Sequence, residues 1–243
     1  ACEGNYRGTI RDLTLDMRGL TWRRAIYIPS AQNMTLSNIV VKNCGQYSYP
    51  IDIYLNYPYT ANISNVTVQD CPLGSDNSNR RYPIYFQGYG TWNLSNIVYD
   101  NCTGFAVVGL NVVGSFNFSA ITITDTASYY GYVVYTHNSW TTITGSVIED
   151  WLLETSHGIY CEGNYRGTIR DLTFDMRGLT WRRAIYIPSA QNMTIKNVLV
   201  TNCSTNSMPI DLRLASTGYT CNIQDVTVAN CAINSGYGAI RLQ

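Results

Sequence analysis

Charge is scarce in this sequence, and its scarcity excludes several classes of protein. Only 13% of the 243 residues are charged, and 16 basic side chains balance 16 acidic ones. A chain without net charge or a basic stripe has no electrostatic means of attracting nucleic acid or an anionic membrane. No apolar run approaches the roughly 18 residues that a membrane-spanning helix needs. We therefore expect a protein that neither binds nucleic acid nor inserts into a membrane.

Helical patterning and metal-ligand spacing are missing as well. Apolar residues do not recur at the i, i+3, i+4, i+7 positions of an amphipathic helix over any useful length. The 8 cysteines stand far from the Cys-x-x-Cys pairs of zinc sites, so we expect no metal and no cofactor. The 20 tyrosines, together with many asparagines and threonines and little lysine, suggest a β-rich protein that is secreted or lies at the cell surface.

What the sequence does contain is a long duplication. Residues 2–44 and 161–203 are identical at 37 of 43 positions, with an offset of 159 residues. Charged residues are also identical in the two copies; for example, Arg7 corresponds to Arg166. Either the duplication is recent, or both copies present the same surface to the same kind of neighbour.

A shorter period lies inside the duplication. In each unit of about 27 residues, an apolar anchor is followed by apolar residues three and five positions later, and often by cysteine at eight. The anchors are Ile10, Leu36, Ile63, Leu94, Phe118, Ile143, Ile169, Ile195 and Ile223. Each unit also contains a second short alternating segment, whose central residue should face outwards. These central residues are Tyr27, Asp52, Tyr85, Gly109, Val134, Tyr160, Tyr186, Asp211 and Arg241.

Very short strands at a regular period are typical of a solenoid in which each unit forms one coil. We therefore predict a single all-β domain over residues 1–243. Along the whole chain, the coil pattern resembles that of the right-handed parallel β-helices of the pectate-lyase-like superfamily. The resemblance implies a right-handed parallel β-helix solenoid of about nine coils, and it leaves the function open.

Two columns emerge when the coils are aligned. Asparagine or aspartate stands two positions after most anchors, which indicates a left-handed turn with bonds from the side chain to the backbone. Cysteines form the second column, where Cα atoms about 4.8 Å apart would permit disulfides and buried free thiols would fit equally well. We favour unpaired core thiols, with Cys203 and Cys231 as the leading candidate for a disulfide.

Tyrosines recur in the outward row of the second segment. Tyr27, Tyr85, Tyr160 and Tyr186 could form a strip that stacks on sugar rings or on a neighbouring molecule, or that only covers the sheet. The sequence also has eight Asn-X-Ser/Thr sequons, which are candidate glycosylation sites at turns of the rod. Their asparagines are Asn33, Asn62, Asn65, Asn93, Asn101, Asn117, Asn192 and Asn202.

An enzymatic function would need carboxylates in one place, because glycoside hydrolysis uses a pair about 5 to 9.5 Å apart. The outward row of the second segment offers only Asp52 and Asp211, which lie six units apart. Glu149, Asp150 and Glu154 are close in sequence but have no acidic companions in neighbouring units. We expect no catalytic residues, with a polysaccharide lyase or hydrolase as the alternative.

The first and last residues fall at nearly the same phase of the coil. We expect either a piece of a longer array or a subunit whose last coil stacks on the first coil of another copy, because head-to-tail contacts that do not close produce filaments. The predicted function is a structural subunit of an extracellular, N-glycosylated filament whose partner is itself. The alternative is a carbohydrate-binding or polysaccharide-degrading β-helix.

Overall fold

The structure is a computed structural model, and it describes residues 4–21, 23–72, 84–124, 127–137, 139–148, 157–162, 165–176, 183–203, 205–233 and 238–243. Within these ranges the regular elements are β-strands, joined in one 13-stranded sheet. The strands are β1 Tyr6–Asp16, β2 Arg24–Lys42, β3 Tyr49–Leu55, β4 Thr60–Pro72, β5 Ile84–Thr124, β6 Ala127–His137, β7 Ser139–Ile148, β8 His157–Glu162, β9 Tyr165–Asp175, β10 Arg183–Thr201, β11 Ile210–Leu214, β12 Cys221–Ala229 and β13 Ile240–Leu242.

Neighbouring strands run parallel, and the predicted anchors pair with one another in chain order. The anchor pairs joined in register are Ile10–Leu36, Leu36–Ile63, Ile63–Leu94, Phe118–Ile143, Ile143–Ile169, Ile169–Ile195 and Ile195–Ile223. A strand can stack on its counterpart in the next coil because the sequence repeats the same apolar spacing in each unit. The prediction of an all-β, parallel solenoid is confirmed.

The number of turns is lower than predicted. Counted by strand elements, the solenoid has about six turns, whereas the sequence pattern predicted nine coils. The two counts differ because several strands run without a break through more than one predicted segment. Strand β2, for example, contains both the outward residue Tyr27 and the anchor Leu36.

The core consists of rows of inward side chains that stack from coil to coil. Ile26, Ile51 and Ile84 form one such row in the second segment, and all three are buried. Each apolar side chain is covered by its counterparts in the coils on either side, so the hydrophobic contacts run along the rod axis. An inward residue therefore needs a further coil next to it to be fully buried.

The asparagine and aspartate column forms left-handed turns, as predicted. Its residues have positive φ angles between 50° and 57°, and they are Asp12, Asn38, Asn65, Asn96, Asp171, Asn197 and Asp225. The predicted bonds to the backbone are replaced by a ladder between side chains. The Asn38 amide donates to Asp12 Oδ1 at 2.8 Å, and Asn65 donates to Asn38 at 3.0 Å. Side chains of one column meet because coils lie about 4.8 Å apart.

One part of the predicted register is wrong. Val134 was expected to face outwards, but it pairs with the core residue Ile159, and Tyr135 pairs with Tyr160 of the outward row. The segment contains two adjacent valines, so the apolar pattern fits either register. A slip of one residue exchanges the two faces of a strand. In the backbone register, position 135 and not position 134 therefore aligns with the outward row.

Candidate functional site

A buried carboxylate lies in the outward row shortly after each copy of the duplicated segment, at the same offset of 159 residues. Asp211 is 0% exposed and lies between two guanidinium groups. Arg183 Nε is 2.8 Å from Asp211 Oδ2, and Arg241 donates through Nε and Nη2 at 2.9 and 2.7 Å. Removing a carboxylate from water is costly unless such partners surround it. Asp211 therefore joins three coils through one ion cluster.

The equivalent residue, Asp52, is 3% exposed and has a similar environment. Arg24 Nε lies 2.8 Å from its Oδ2, and the Gln87 amide donates to its Oδ1 at 3.1 Å. Burial raises the pKa of Asp52, while the hydrogen bond from Gln87 and the charge of Arg24 act in the opposite direction. Asp52 and Asp211 thus belong to two separate ion clusters, and the structure does not bring them together.

The tyrosine strip is organised by arginine. Arg24 lies over the Tyr27 ring at 4.2 Å, and Tyr85 lies 6.4 Å from Tyr49. Since Asp52 pairs in register with both Tyr27 and Tyr85, these two tyrosines are separated by one coil. This end of the predicted strip is therefore interrupted by the Asp52 cluster.

The other end of the strip is continuous. The Tyr160 and Tyr186 rings are stacked at 5.2 Å with an interplanar angle of 11°. Arg183 lies 4.4 Å and Arg213 5.7 Å from the Tyr186 centroid. Cation–π contacts of this kind occupy the ring faces that a sugar would use. Sequence analysis overlooked these arginines, although the spacing of Arg24 to Tyr27 recurs at Arg183 and Tyr186 and could have revealed them.

The sequon asparagines lie on the coil surface, and five of them donate within amide ladders. Asn93 donates to Asn62 Oδ1 at 2.9 Å, and Asn117 donates to Asn93 Oδ1 at 2.8 Å. The other three donors are Asn65 to Asn38, Asn101 to Asp70 and Asn202 to Asp175. Asn33 and Asn192 are exposed, and each accepts a backbone N–H bond through Oδ1. These asparagines therefore stabilise the coils whether or not they carry glycans.

The cysteine column contains both of the expected states. Cys203 and Cys231 are joined by a disulfide, whereas Cys44, Cys71 and Cys102 are free and buried. Hydrogen bonding with Cys71 and burial both raise the pKa of the Cys44 and Cys102 thiols. Cys71 differs, because hydrogen bonds with Cys102 and Cys44 lower the pKa of its thiol. All three thiols are buried and act as small core side chains, so burial limits the access of reagents to them.

The open edge of β1 is the clearest candidate for an interaction surface. Among the described strands, β1 pairs with β2 alone, whereas its duplicate β9 pairs with β7 on one side and β10 on the other. Leu13 in β1 is 38% exposed, but the equivalent Leu172 in β9 is 2% exposed. The same residue in the same local sequence is thus buried only where a further coil covers it.

The opposite edge is open in the same way. Strand β13 pairs only with β11 within the described part of the chain, and its Ile240 and Leu242 are 36% and 55% exposed. Residues in the same rows of β5, Ile84 and Phe86, are fully buried. Among the described strands, both ends of the solenoid therefore present apolar rows and strand edges without a partner strand.

No family model matches this chain, and neither the curated proteins nor the solved structures contain a significant match. Across the described residues, no group of three or more His, Cys, Asp or Glu side chains is arranged to hold a metal ion. The described part of the chain also contains no helix long and apolar enough to cross a membrane. The functional argument rests on the geometry of the coils.

Proposed function

We propose that this protein is a structural subunit of an extracellular filament, in which the last coil of one copy stacks on the first coil of the next. The contrast between β1 and β9 carries the proposal. One repeated segment is paired on both sides inside the solenoid and on one side at its edge. Unpaired strand edges favour pairing with another chain, and head-to-tail contacts that do not close extend into filaments.

Two features support an extracellular location. The Cys203–Cys231 disulfide would persist in an oxidising compartment and is unusual in a reducing one. The exposed asparagines Asn33 and Asn192 stand in sequons that a secretory pathway would modify. We accordingly propose that the filament is glycosylated.

The ion clusters support a structural function and weigh against hydrolysis. Asp52 and Asp211 are each buried against an arginine, so neither carboxylate is free to act as an acid or a nucleophile. We place the protein among the right-handed, pectate-lyase-like β-helices as a member without enzymatic activity. The guanidinium groups and rings on its surface then stabilise the stacking of coils.

Sedimentation velocity over a range of concentrations tests the proposal. Leu13→Lys would place an ammonium group where a second copy should cover the chain, so this variant should stay monomeric. Thr67→Lys introduces the same charge on the half-buried outward row of β4, away from both edges, and serves as the control. Wild-type protein that remains monomeric at every concentration would overturn the proposal, as would equal association of the two variants.

Glycosylation needs its own test. The chain is expressed in a eukaryotic secretory host, and its glycopeptides are mapped by mass spectrometry. We expect glycans at Asn33, Asn62 or Asn192, the exposed sequon asparagines that donate no ladder hydrogen bond. Unmodified asparagine at all eight sequons would contradict the glycosylated filament while leaving the stacking itself intact.

Carbohydrate binding through Tyr160 is a second candidate function, although Arg183 and Arg213 lie over the neighbouring Tyr186 ring. Tyr160 and Tyr186 form an aromatic pair in the outward row, and such pairs bind sugar rings when a ring face is accessible. Titration with soluble oligosaccharides, followed by tyrosine fluorescence, tests this function. Saturable binding that is lost in Tyr160→Ala would support it, and the absence of any response would exclude it.

A further inference from the structure

The ladder of asparagine side chains ends in aspartate at both open edges. Where the column holds asparagine, the amide of the later coil donates to the oxygen of the coil before it, as Asn38 does to Asp12 and Asn96 does to Asn65. Asp12 occupies this column in β1, and Asp225 occupies it in β12. A carboxylate accepts hydrogen bonds but donates none when it is ionised. Asp225 could accept an amide of a following coil, as Asp171 does from Asn197, but Asp12 cannot donate to a preceding coil, so the bond used inside cannot form between Asp12 and Asp225.

The duplication shows how a strand with the β1 sequence is covered. Strand β7 pairs with β9 in the register Ile143–Ile169 and Val147–Thr173. Because Ile169 is the counterpart of Ile10, and Ile223 lies in the same anchor row, β12 can cover β1 of another copy in this register. Ile223 then lies beside Ile10.

We propose that two copies stack in this register, that Asp225 of one copy faces Asp12 of the next, and that each junction takes up one proton. The inference rests on the proposed function, because it describes the contact between filament subunits. A proton from the solvent binds one of the two carboxylates. The resulting O–H then donates to the other carboxylate, in the place where an asparagine amide donates inside the solenoid.

Only one of the cations near the column forms an ion pair with either carboxylate among the described contacts. Arg11 Nε lies 3.6 Å from Asp12 Oδ2, so one guanidinium faces two carboxylates at the junction. Lys196 of β10 pairs in register with Gln224 of β12, so it lies one coil away from the junction. Among the described contacts, no ion pair joins Lys196 to Asp225. The groups nearest the two carboxylates on β2, β10 and β12 are otherwise neutral: Ser37, Asn38, Asn197 and Gln224.

The internal copy provides a contrast with this arrangement. Asp171 pairs with its own Arg170 at 3.2 Å, as Asp12 does with Arg11. The coil that covers β9 has glycine at position 145 in this column, so Asp171 does not meet a second carboxylate. Inside the solenoid the repeated sequence is therefore stacked without an acidic pair, and the pair arises only between copies.

Proton uptake fixes the sign of the pH dependence. Two carboxylates within hydrogen-bonding distance cannot both stay ionised without a large cost, so association and protonation favour each other. Uptake of one proton makes the association constant rise by up to about tenfold for each unit of falling pH. Association should strengthen from pH 7 towards pH 4.5, and it should weaken again as the pH is raised.

Sedimentation velocity of the full chain at pH 4.5 and pH 7, at constant ionic strength, tests the inference. Asp12→Asn supplies the missing amide and should associate equally well at both pH values. Asp171→Asn makes the same change at the internal copy and should keep the wild-type pH dependence. Circular dichroism at both pH values checks that each variant is folded.

The outcomes separate this inference from the function on which it rests. Loss of pH dependence in Asp12→Asn, together with its retention in Asp171→Asn, supports the carboxylate pair. Association with no pH dependence in the wild type overturns the inference and leaves the filament intact, as does an Asp12→Asn variant that keeps the dependence. A wild-type protein that does not associate at either pH overturns both.

Discussion

Leu13 and Leu172 offer a direct measurement of what a covering coil contributes. The two residues are counterparts in the duplication, and β1 and β9 differ only at Leu15, which is Phe174 in the second copy. Leu13 is 38% exposed at the open edge, whereas Leu172 is 2% exposed inside the solenoid. Replacing each leucine by alanine removes the same atoms from two environments that differ mainly in the presence of a further coil.

The expected costs follow from burial. Leu172→Ala should lower the free energy of unfolding by about 3 kcal/mol, because it removes a buried side chain and leaves a cavity. Leu13→Ala should lower it by about 1 kcal/mol in the monomer, because much of the side chain already contacts water. The difference of about 2 kcal/mol should appear as an association constant about thirtyfold smaller for Leu13→Ala, since stacking buries Leu13 as Leu172 is buried.

Two experiments separate these contributions. Guanidinium denaturation at a concentration where the chain is monomeric gives both unfolding costs, and sedimentation at higher concentration gives the association constant. Similar unfolding costs for the two variants would refute the argument from burial. Unchanged association of Leu13→Ala would refute the claim that a second copy covers this edge.

Three further predictions concern the interior of the coils and the disulfide. Asp211→Ala should lower the free energy of unfolding by about 3–5 kcal/mol, because two partly buried guanidinium groups lose their carboxylate; a loss below about 1 kcal/mol in urea denaturation would contradict this. Asn96→Ala should cost about 1–2 kcal/mol, through loss of a ladder bond and an alanine at a left-handed φ of 53°, and Asn96→Gly should cost less in the same thermal unfolding assay. Equal costs for the two would show that the backbone contributes nothing. Reduction of the Cys203–Cys231 disulfide should lower stability by about 2–4 kcal/mol in denaturant titrations with and without reductant, and identical midpoints would refute a stabilising bond.

Cys221 provides a prediction about pH. Its half-buried position raises the pKa of the thiol to about 11, and the thiolate is the reactive form. Labelling by a thiol reagent should therefore be slow at pH 8 in the folded protein and should accelerate as the pH rises towards 11. Circular dichroism confirms that the chain is folded during the measurement. Rapid labelling of Cys221 at pH 8 would contradict the effect of burial.

The coil repeat could be predicted from sequence because stacking requires the same residue type at the same place in each coil. The anchors paired as expected, from Ile10 with Leu36 to Ile195 with Ile223. Left-handed turns at asparagine and aspartate were also predictable, because few other residues adopt that backbone conformation at low cost. The error of one residue in the predicted register at Val134 could not be avoided, because two adjacent valines fit either register.

The clusters on the outward face depend on contacts that a linear pattern does not contain. Arg24 meets Asp52 only after two segments in successive coils have paired, and Asp211 gathers Arg183 and Arg241 from coils on both sides. Such contacts follow from the coil register, so they became visible only with the structure.

The duplication copied interacting partners together. Arg7 donates to Gln32, and in the second copy Arg166 donates to Gln191 at 2.6 Å. Each pair joins neighbouring coils, so the arginine has the same glutamine partner within the chain in both copies. Identical surface residues in the two copies therefore have a structural explanation that does not require a common external partner.

Cryo-electron microscopy of the purified full chain tests the central claim most directly. The account predicts rods longer than one chain, with the parallel ladder continuing across each junction and β12 of one copy paired in register with β1 of the next. Discrete particles of single-chain length, with both coil edges exposed at all concentrations and at acidic as well as neutral pH, would contradict it.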